Sequence, residues 1–235
     1  MTDALYERRE MLDITGGTLR PGGTELTRRA LEICRFKKGE TILDLGCGPG
    51  ATSSLMREEF GLVPLALDYS ADMLKQAGET TRGLKKVQAS GTSLPFRTES
   101  LKGTISECVL SLTEDIDTTL SEISRVTEHG GELILSDIYS RNASAPETKL
   151  EVTCCFNGAK ALGEIEKSVT SNGFKIILME DHTQRLKQLA GQIIFSMGSL
   201  EKFWALFMGK DKAAGACSAV KKMMPGYYLI IAEKE

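Results

Sequence analysis

The stretch Thr41-Ile42-Leu43-Asp44-Leu45-Gly46-Cys47-Gly48-Pro49-Gly50 decides the fold class. A short, mostly apolar run reads as a strand, three alternating glycines follow it, and an amphipathic run begins at Ala51. Glycines at such a turn permit positive φ and remove side chains that would block a ligand lying against the backbone. Two ligand classes use this strand-to-helix geometry. A dinucleotide site asks for GxGxxG or GxGxxA with its pyrophosphate on the helix N-terminus, and Gly46 to Ala51 satisfies the looser form. Asp44 argues the other way, because a carboxylate two residues before the first glycine repels pyrophosphate and welcomes an ammonium.

Outward from the loop, short apolar runs alternate with longer amphipathic ones. Strands are expected over 41–45, 62–67, 85–89, 103–109, 132–137, 174–179 and 227–232, with helices beginning near Ala51, Ala71, Asp115 and Lys160. That alternation implies βαβ units and an α/β fold whose mostly parallel sheet is covered on both faces. Ligands of such sheets sit at the carboxyl ends of the strands, where the strand order switches. Two helices are expected before the first strand, over 3–13 and 24–36, with Thr24 as the N-cap of the second and a Gly16-Gly17 to Gly22-Gly23 hinge between them. Residues 182–222 read as helix throughout, too long for a simple connection, and are expected to form an inserted lid or partner surface.

Composition narrows the function classes. The 235 residues are 41% hydrophobic and 26% charged, so a sizeable core is available. With 29 Lys+Arg against 32 Asp+Glu the net charge is -3, which argues against a protein working mainly on nucleic-acid phosphates. No apolar run approaches the roughly 18 residues of a membrane span. The charged start Met1 to Asp13 does not read as a signal peptide, so a cytoplasmic chain is expected. Six cysteines form no CxxC pair, which signals neither a zinc site nor a disulfide scaffold, and no metal is expected.

The ordered motifs resemble those of the class I S-adenosylmethionine (SAM)-dependent methyltransferases. The acid-x-Gly-x-Gly-x-Gly loop at Asp44 to Gly50 is followed, 24 residues after Asp44, by Asp68 at the end of Leu65-Ala66-Leu67-Asp68-Tyr69-Ser70. Ser70 to Leu74, then Val87 to Phe96 with its Leu-Pro-Phe, then Leu120 to Asp137 with a Gly130-Gly131 turn match in order, as do the closing strands at Gly173-Phe174 and Pro225 to Ala232. The resemblance implies a Rossmann-like seven-stranded sheet, its last strand antiparallel, with SAM as cofactor and S-adenosylhomocysteine as product. It implies that the loop of Gly46, Cys47, Gly48 and Gly50 passes beneath the methionyl group, that Asp44 organises the amino group, and that Asp68 accepts the ribose hydroxyls. Met73 would pack on the adenine and Tyr69 would join the cofactor pocket, as would Ser90, Gly91 and Thr92 of the third-strand loop. The family usually has Asp where this chain has Ser90. One domain over 1–235 is expected, with a core of 38–181 and 223–235, cap helices in 1–37 and an inserted cap at 182–222.

For the chemistry, a methyl donor that carries its own leaving group needs an aligned nucleophile and a dry site more than a dedicated base. The bases are few. Glu107 ends the fourth strand as a cofactor-pocket residue, a substrate contact or an ordinary strand-end acid, His129 sits in a solvent turn, and His182 opens the inserted helices. The vicinal pair Cys154-Cys155, before Gly158-Ala159, faintly resembles arsenite methyltransferases, and soft thiolates suit a soft metalloid. The leading expectation is a methyltransferase acting on a small-molecule acceptor, with no nucleic-acid or membrane partner and a homodimer through 182–222 if Phe203, Trp204, Phe207 and Met208 are exposed. The alternatives are a SAM- or metalloid-binding protein without turnover, arsenite-type methylation using Cys154 and Cys155, and an NAD-dependent oxidoreductase resting on the loose glycine match.

Overall fold

A computed structural model of the chain describes residues 5, 18, 20–142, 144 and 149–235. The expected helix over 3–13 and the Gly16-Gly17 pair lie outside the described residues apart from Leu5. In chain order the elements are α1 (Gly23–Ile33), β1 (Thr41–Leu45), α2 (Ala51–Glu58), β2 (Val63–Asp68), α3 (Ala71–Thr80), β3 (Lys85–Gln88), β4 (Leu101–Glu107), α4 (Ile116–Val126), β5 (Thr127–Ser140), α5 (Leu162–Ser171), β6 (Phe174–Asp181), α6 (Thr183–Met197), α7 (Leu200–Met208), α8 (Lys210–Met223) and β7 (Pro225–Lys234). The seven strands form one sheet in the order β3-β2-β1-β4-β5-β7-β6. All are parallel except β7, which runs antiparallel to both β5 and β6, so the α/β expectation and its reversed last strand hold.

The period of two along each strand builds two cores. Leu43 and Leu45 of β1 face one layer with Leu120, Ile123 and Val126 of α4 and Ile165 and Val169 of α5. Ile42 faces the other with Leu26 and Leu31 of α1 and Leu55 and Met56 of α2. A third cluster joins Val152 and Cys154 to Ile193, Phe203, Trp204, Ala213 and Ala216 of the terminal helices.

Four local expectations change. Helix α1 starts one residue before Thr24, with Gly22 at the N-cap in the left-handed region at φ 83° and no side-chain cap. Strand β5 starts at Thr127 rather than Glu132, because the Gly130-Gly131 segment is taken up as an irregularity between the Leu101–Thr127 and Gly103–Glu132 pairs. The helical run over 182–222 is broken at Gly198 (φ 86°) and Gly209 (φ 82°) into three helices. Phe203 and Trp204 are not a surface: they are 5% and 3% exposed, and the large apolar side chains presented outward there are Ile194, Phe195 and Leu206.

Candidate active site

The order reversal between β1 and β4 opens a cleft at the carboxyl ends of the strands, and a cavity of about 990 Å3 occupies it. Its floor is the glycine loop. Gly46 and Cys47 donate their amide N–H groups to Leu67 O at 2.7 and 3.0 Å, which ties the loop to β2. Gly46 has φ 67°, and a Cβ there would lie 2.3 Å from Val109 Cγ2, so this position is closed to any side chain. Gly48 (φ 51°) lines the cavity, and a Cβ on it would meet no protein atom within 4 Å. The backbone is therefore held bare on the side where a ligand can approach.

Asp68 joins the loop to the next helix. Its Oδ2 accepts from Gly48 N at 2.9 Å and its Oδ1 from Ser70 N at 2.9 Å. Ser70 in turn caps α3, accepting from Met73 N at 3.4 Å. Beside it, Thr92 N donates to Ser90 Oγ at 3.2 Å, closing the turn that carries Ser90, Gly91 and Thr92 to the cavity wall. Tyr69 also lines the cavity and is exposed.

The other end of the floor carries a buried charge pair. Arg20, just before α1, lies with its Nε 3.0 Å from Glu107 Oε1 at the end of β4. Thr27 of α1 donates to Glu107 Oε1 at 2.7 Å, and Thr52 of α2 donates to Glu107 Oε2 at 2.6 Å. Arg20 donates to both hydroxyl oxygens at 2.7 and 2.8 Å. The pair places a cation and an anion together at the loop's edge, and both residues line the cavity. Coulombic attraction to Glu107 holds the Arg20 guanidinium charged against the opposing effect of burial.

Not every expected residue reaches the cavity. Asp44, Gly50 and Met73 are absent from its lining. Asp44 is 3% exposed behind the loop, where Ser53 Oγ donates to its Oδ2 at 2.5 Å, and burial raises its pKa to about 7. Met73 is 1% exposed in the interior. His182 precedes α6 and pairs with Glu180 Oε2 at 2.8 Å, away from the cavity lining. His129 is exposed and lies 3.2 Å from Glu99 Oε1.

Sequence reasoning missed one wall. Cys108 lines the cavity together with Cys154 and Cys155, because the turn at Leu110–Leu112 packs on the turn at Cys155–Gly158. Cys108 adopts φ 56°, rare for a residue with a side chain and a mark of a strand end held by its surroundings. Its Sγ is 3.3 Å from Tyr227 Oη, which lies 3.1 Å from Ser136 Oγ. Asp137 fixes the first turn by accepting from Ser111 N at 2.9 Å and Ser111 Oγ at 2.7 Å, and burial pushes its carboxyl up to about 6. Burial also raises Cys154 to about 11 and pushes Cys108 and Cys155 higher, so these thiols keep their protons near neutral pH. Packed onto this wall is a roof from α6 and α7, with Leu186, Leu189, Ile193, Phe203 and Trp204. Among the described residues, no group of His, Cys, Asp and Glu is arranged to hold a metal ion.

The donor set fits a cofactor with an adenosyl and an amino-acid end: a bare loop, a carboxylate at the end of β2, and a paired cation and anion at the far edge. Comparisons with known proteins agree. The sequence profile of the methyltransferase domain family matches residues 43–135. The demethylmenaquinone methyltransferase of Streptomyces avermitilis is 29% identical over 69% of this chain and 69% of its own length. Among solved structures, a putative sarcosine dimethylglycine methyltransferase from Galdieria sulphuraria superposes with a TM-score of 0.75 at 14% identity, covering 97% of both chains. The phosphoethanolamine N-methyltransferase 2 of Haemonchus contortus, solved with S-adenosyl-L-methionine, superposes with a TM-score of 0.72 at 21% identity. It matches 95% of this chain, which spans 56% of that longer protein.

Proposed function

Because the chain is a class I SAM-dependent methyltransferase, we propose that it methylates a small-molecule acceptor held between the cofactor floor and the α6–α7 roof, by in-line displacement driven mainly by positioning. The observation that carries this reading is the continuity of one cavity from the Gly46–Gly48 loop and Asp68 to Phe203 and Trp204. Its volume, about 990 Å3, stands at the top of the range of roughly 300–1,000 Å3 for ligand sites and has room for a second molecule beside the cofactor.

When bound, SAM supplies an activated methyl carbon on a sulfonium leaving group. The residues do the rest. On this reading Asp68 accepts ribose hydroxyls, while its two oxygens hold Gly48 and Ser70. Arg20 and Glu107, on the same reading, serve the amino-acid end, the cation for a carboxylate and the anion for an ammonium, and their ion pair at the cavity wall supports it. Asp44 supports the loop from behind through Ser53, and Met73 supports α3 from the interior rather than by contact with a ligand. The apolar roof excludes water from the transfer, and holding the two reactants in line supplies about 7–11 kcal/mol of the barrier reduction. No dedicated base is assigned: Glu107 is engaged by Arg20, Thr27 and Thr52, and His182 by Glu180. On this reading α6–α8 serve as a cap on a single catalytic unit. Any self-association through the cap uses the exposed Ile194, Phe195 and Leu206, since Phe203 and Trp204 are inside. No described helix is long and apolar enough to cross a membrane.

Isothermal calorimetry with SAM and S-adenosylhomocysteine tests the cofactor half, and no heat at millimolar ligand would sink it. Transfer of a radiolabelled methyl group to any extract compound, abolished by Asp68→Ala, supports the enzymatic half over binding without turnover.

A second reading, methylation at a soft atom such as trivalent arsenic, has one observation behind it: the thiols of Cys108, Cys154 and Cys155 share the cavity wall. The raised pKa values weigh against it, since soft-metal binding requires thiolates and must release their protons. Methylated arsenic formed from arsenite and SAM, and lost in Cys155→Ser, would promote it to first place.

A further inference from the structure

The methyltransferase reading leaves the acceptor's chemistry open, and the far half of the cavity restricts it. Its roof is built from Leu186, Leu189 and Ile193 of α6 with Phe203 and Trp204 of α7, and Phe156 stands beside Trp204. The rings form an ordered cluster: Phe156 meets Trp204 edge-to-face with centroids 5.8 Å apart, and Phe203 meets Trp204 at 5.2 Å. Phe203 and Trp204 are almost fully covered by this packing, so the cluster backs the roof as a rigid apolar wall behind Leu186, Leu189 and Ile193 rather than as an open ring face.

Charge points the same way. Among the described residues lining the cavity, Arg20 is the one Lys, Arg or His, and its guanidinium is ion-paired with Glu107 and hydrogen-bonded to Thr27 and Thr52. The other charged lining residues are Asp68, Glu107 and Glu114. Among the described residues, a phosphate ester brought under the roof would find no cation to pair with, and burying an unpaired charge against Leu189 and Ile193 is strongly unfavourable. We infer that the acceptor is an uncharged, largely apolar molecule seated against Leu186, Leu189 and Ile193, and not a phosphate ester of the kind bound by the Haemonchus neighbour solved with phosphomonomethylethanolamine.

Trp204 is the chain's one tryptophan, so its emission reports on this pocket alone. The test titrates protein saturated with S-adenosylhomocysteine with two probes, 2-naphthol and phosphoethanolamine, and repeats both in Leu189→Lys and Leu189→Met. Leu189 is only half-buried, which makes these variants tolerable for folding. The expected result is saturable quenching of Trp204 by 2-naphthol, weakened about tenfold or more in Leu189→Lys and little changed in Leu189→Met, with S-adenosylhomocysteine affinity kept within about twofold throughout. Failure of 2-naphthol to bind, an affinity indifferent to Leu189→Lys, or displacement of 2-naphthol by phosphoethanolamine would each overturn the inference. Lack of S-adenosylhomocysteine binding would instead overturn the cofactor reading, and titration of the ligand-free protein would still decide the chemistry of the roof.

Discussion

The Arg20–Glu107 pair makes the sharpest prediction about how this site is held together. Arg20 arrives from the segment before α1, Glu107 from the end of β4, Thr27 from α1 and Thr52 from α2, so one buried cluster joins four elements. The side chains of Arg20 and Glu107 are 11% and 6% exposed, too little for solvent to screen the loss of a partner. In Glu107→Ala the guanidinium keeps its contacts to the two threonine oxygens but loses its counter-ion. Breaking a buried pair in this way costs about 3–5 kcal/mol. In Arg20→Ala the carboxylate keeps two hydroxyl donors, each worth about 1.5–3 kcal/mol to a charged acceptor, so the loss falls at the lower end of that range. In the double variant neither charge is stranded, and the loss is smaller than the two single losses added together by about 2–3 kcal/mol.

Equilibrium urea unfolding of the cofactor-free protein, followed by far-ultraviolet circular dichroism, measures all four corners of the cycle. At roughly 2–4 °C per kcal/mol for a chain of this size, Glu107→Ala lowers Tm by about 6–20 °C. Single losses that simply add, within about 0.5 kcal/mol, would refute the coupling and with it the claim that Glu107 is structurally engaged rather than free for chemistry.

Further outcomes follow from the same geometry. Asp68→Ala removes the acceptor expected for two ribose hydroxyls and loosens Gly48 and Ser70, so S-adenosylhomocysteine affinity by calorimetry falls about 100-fold or more, while Asp68→Asn retains part of it. Gly46→Ala forces a Cβ to 2.3 Å from Val109 at φ 67° and destabilises by about 2–4 kcal/mol in the same urea assay, with Val109→Ala partly restoring it; a neutral Gly46→Ala contradicts the packing. Burial holds the Asp44 pKa at about 7, above its unfolded value of about 3.9, so the folded state keeps a proton that the unfolded chain has lost. That contribution is whole below about pH 4 and disappears as pH rises through about 7. The stability of Asp44→Asn relative to wild type therefore rises across that window, and a difference in Tm that does not vary with pH would show that Asp44 does not titrate there.

The core of the fold was legible because β1 is buried on both faces. An uninterrupted strand such as Thr41–Leu45 has one reading, and its bounds agree to the residue. Edges were less so. The Gly130-Gly131 pair looks like a turn from its composition, yet β5 absorbs it, because pairing with β4 resumes at Gly103–Glu132 and tertiary hydrogen bonding outweighs local propensity. The 182–222 run carries helical periodicity across its whole length, and the two breaks fall at Gly198 and Gly209, where left-handed φ ends one helix before the next begins. Arg20 was read only as part of a flexible Gly/Pro segment. Its partner lies 87 residues further along the chain, and nothing in local spacing encodes such a pairing.

The same contrast separates the two halves of the site. The cofactor floor is made from consecutive segments, each a strand end and the loop after it, so Gly46, Gly48, Asp68 and Ser90 to Thr92 could be named in order and do line the cavity together. The proposed acceptor half is assembled from the ends of β4 and β5, the turn at Cys155–Gly158 and the roof helices α6 and α7, elements far apart in sequence. Its members carry no motif because their requirement is collective: a dry, ring-lined chamber can be built from many combinations of Leu, Ile, Phe and Trp. A methyltransferase needs its floor to recognise one invariant ligand and its roof to recognise whatever is methylated. On the proposed reading, the part of the sequence that would specify substrate is the part that periodicity reads as ordinary helix, and Cys108, beside Cys155, carries its signal in a positive φ that no local pattern encodes.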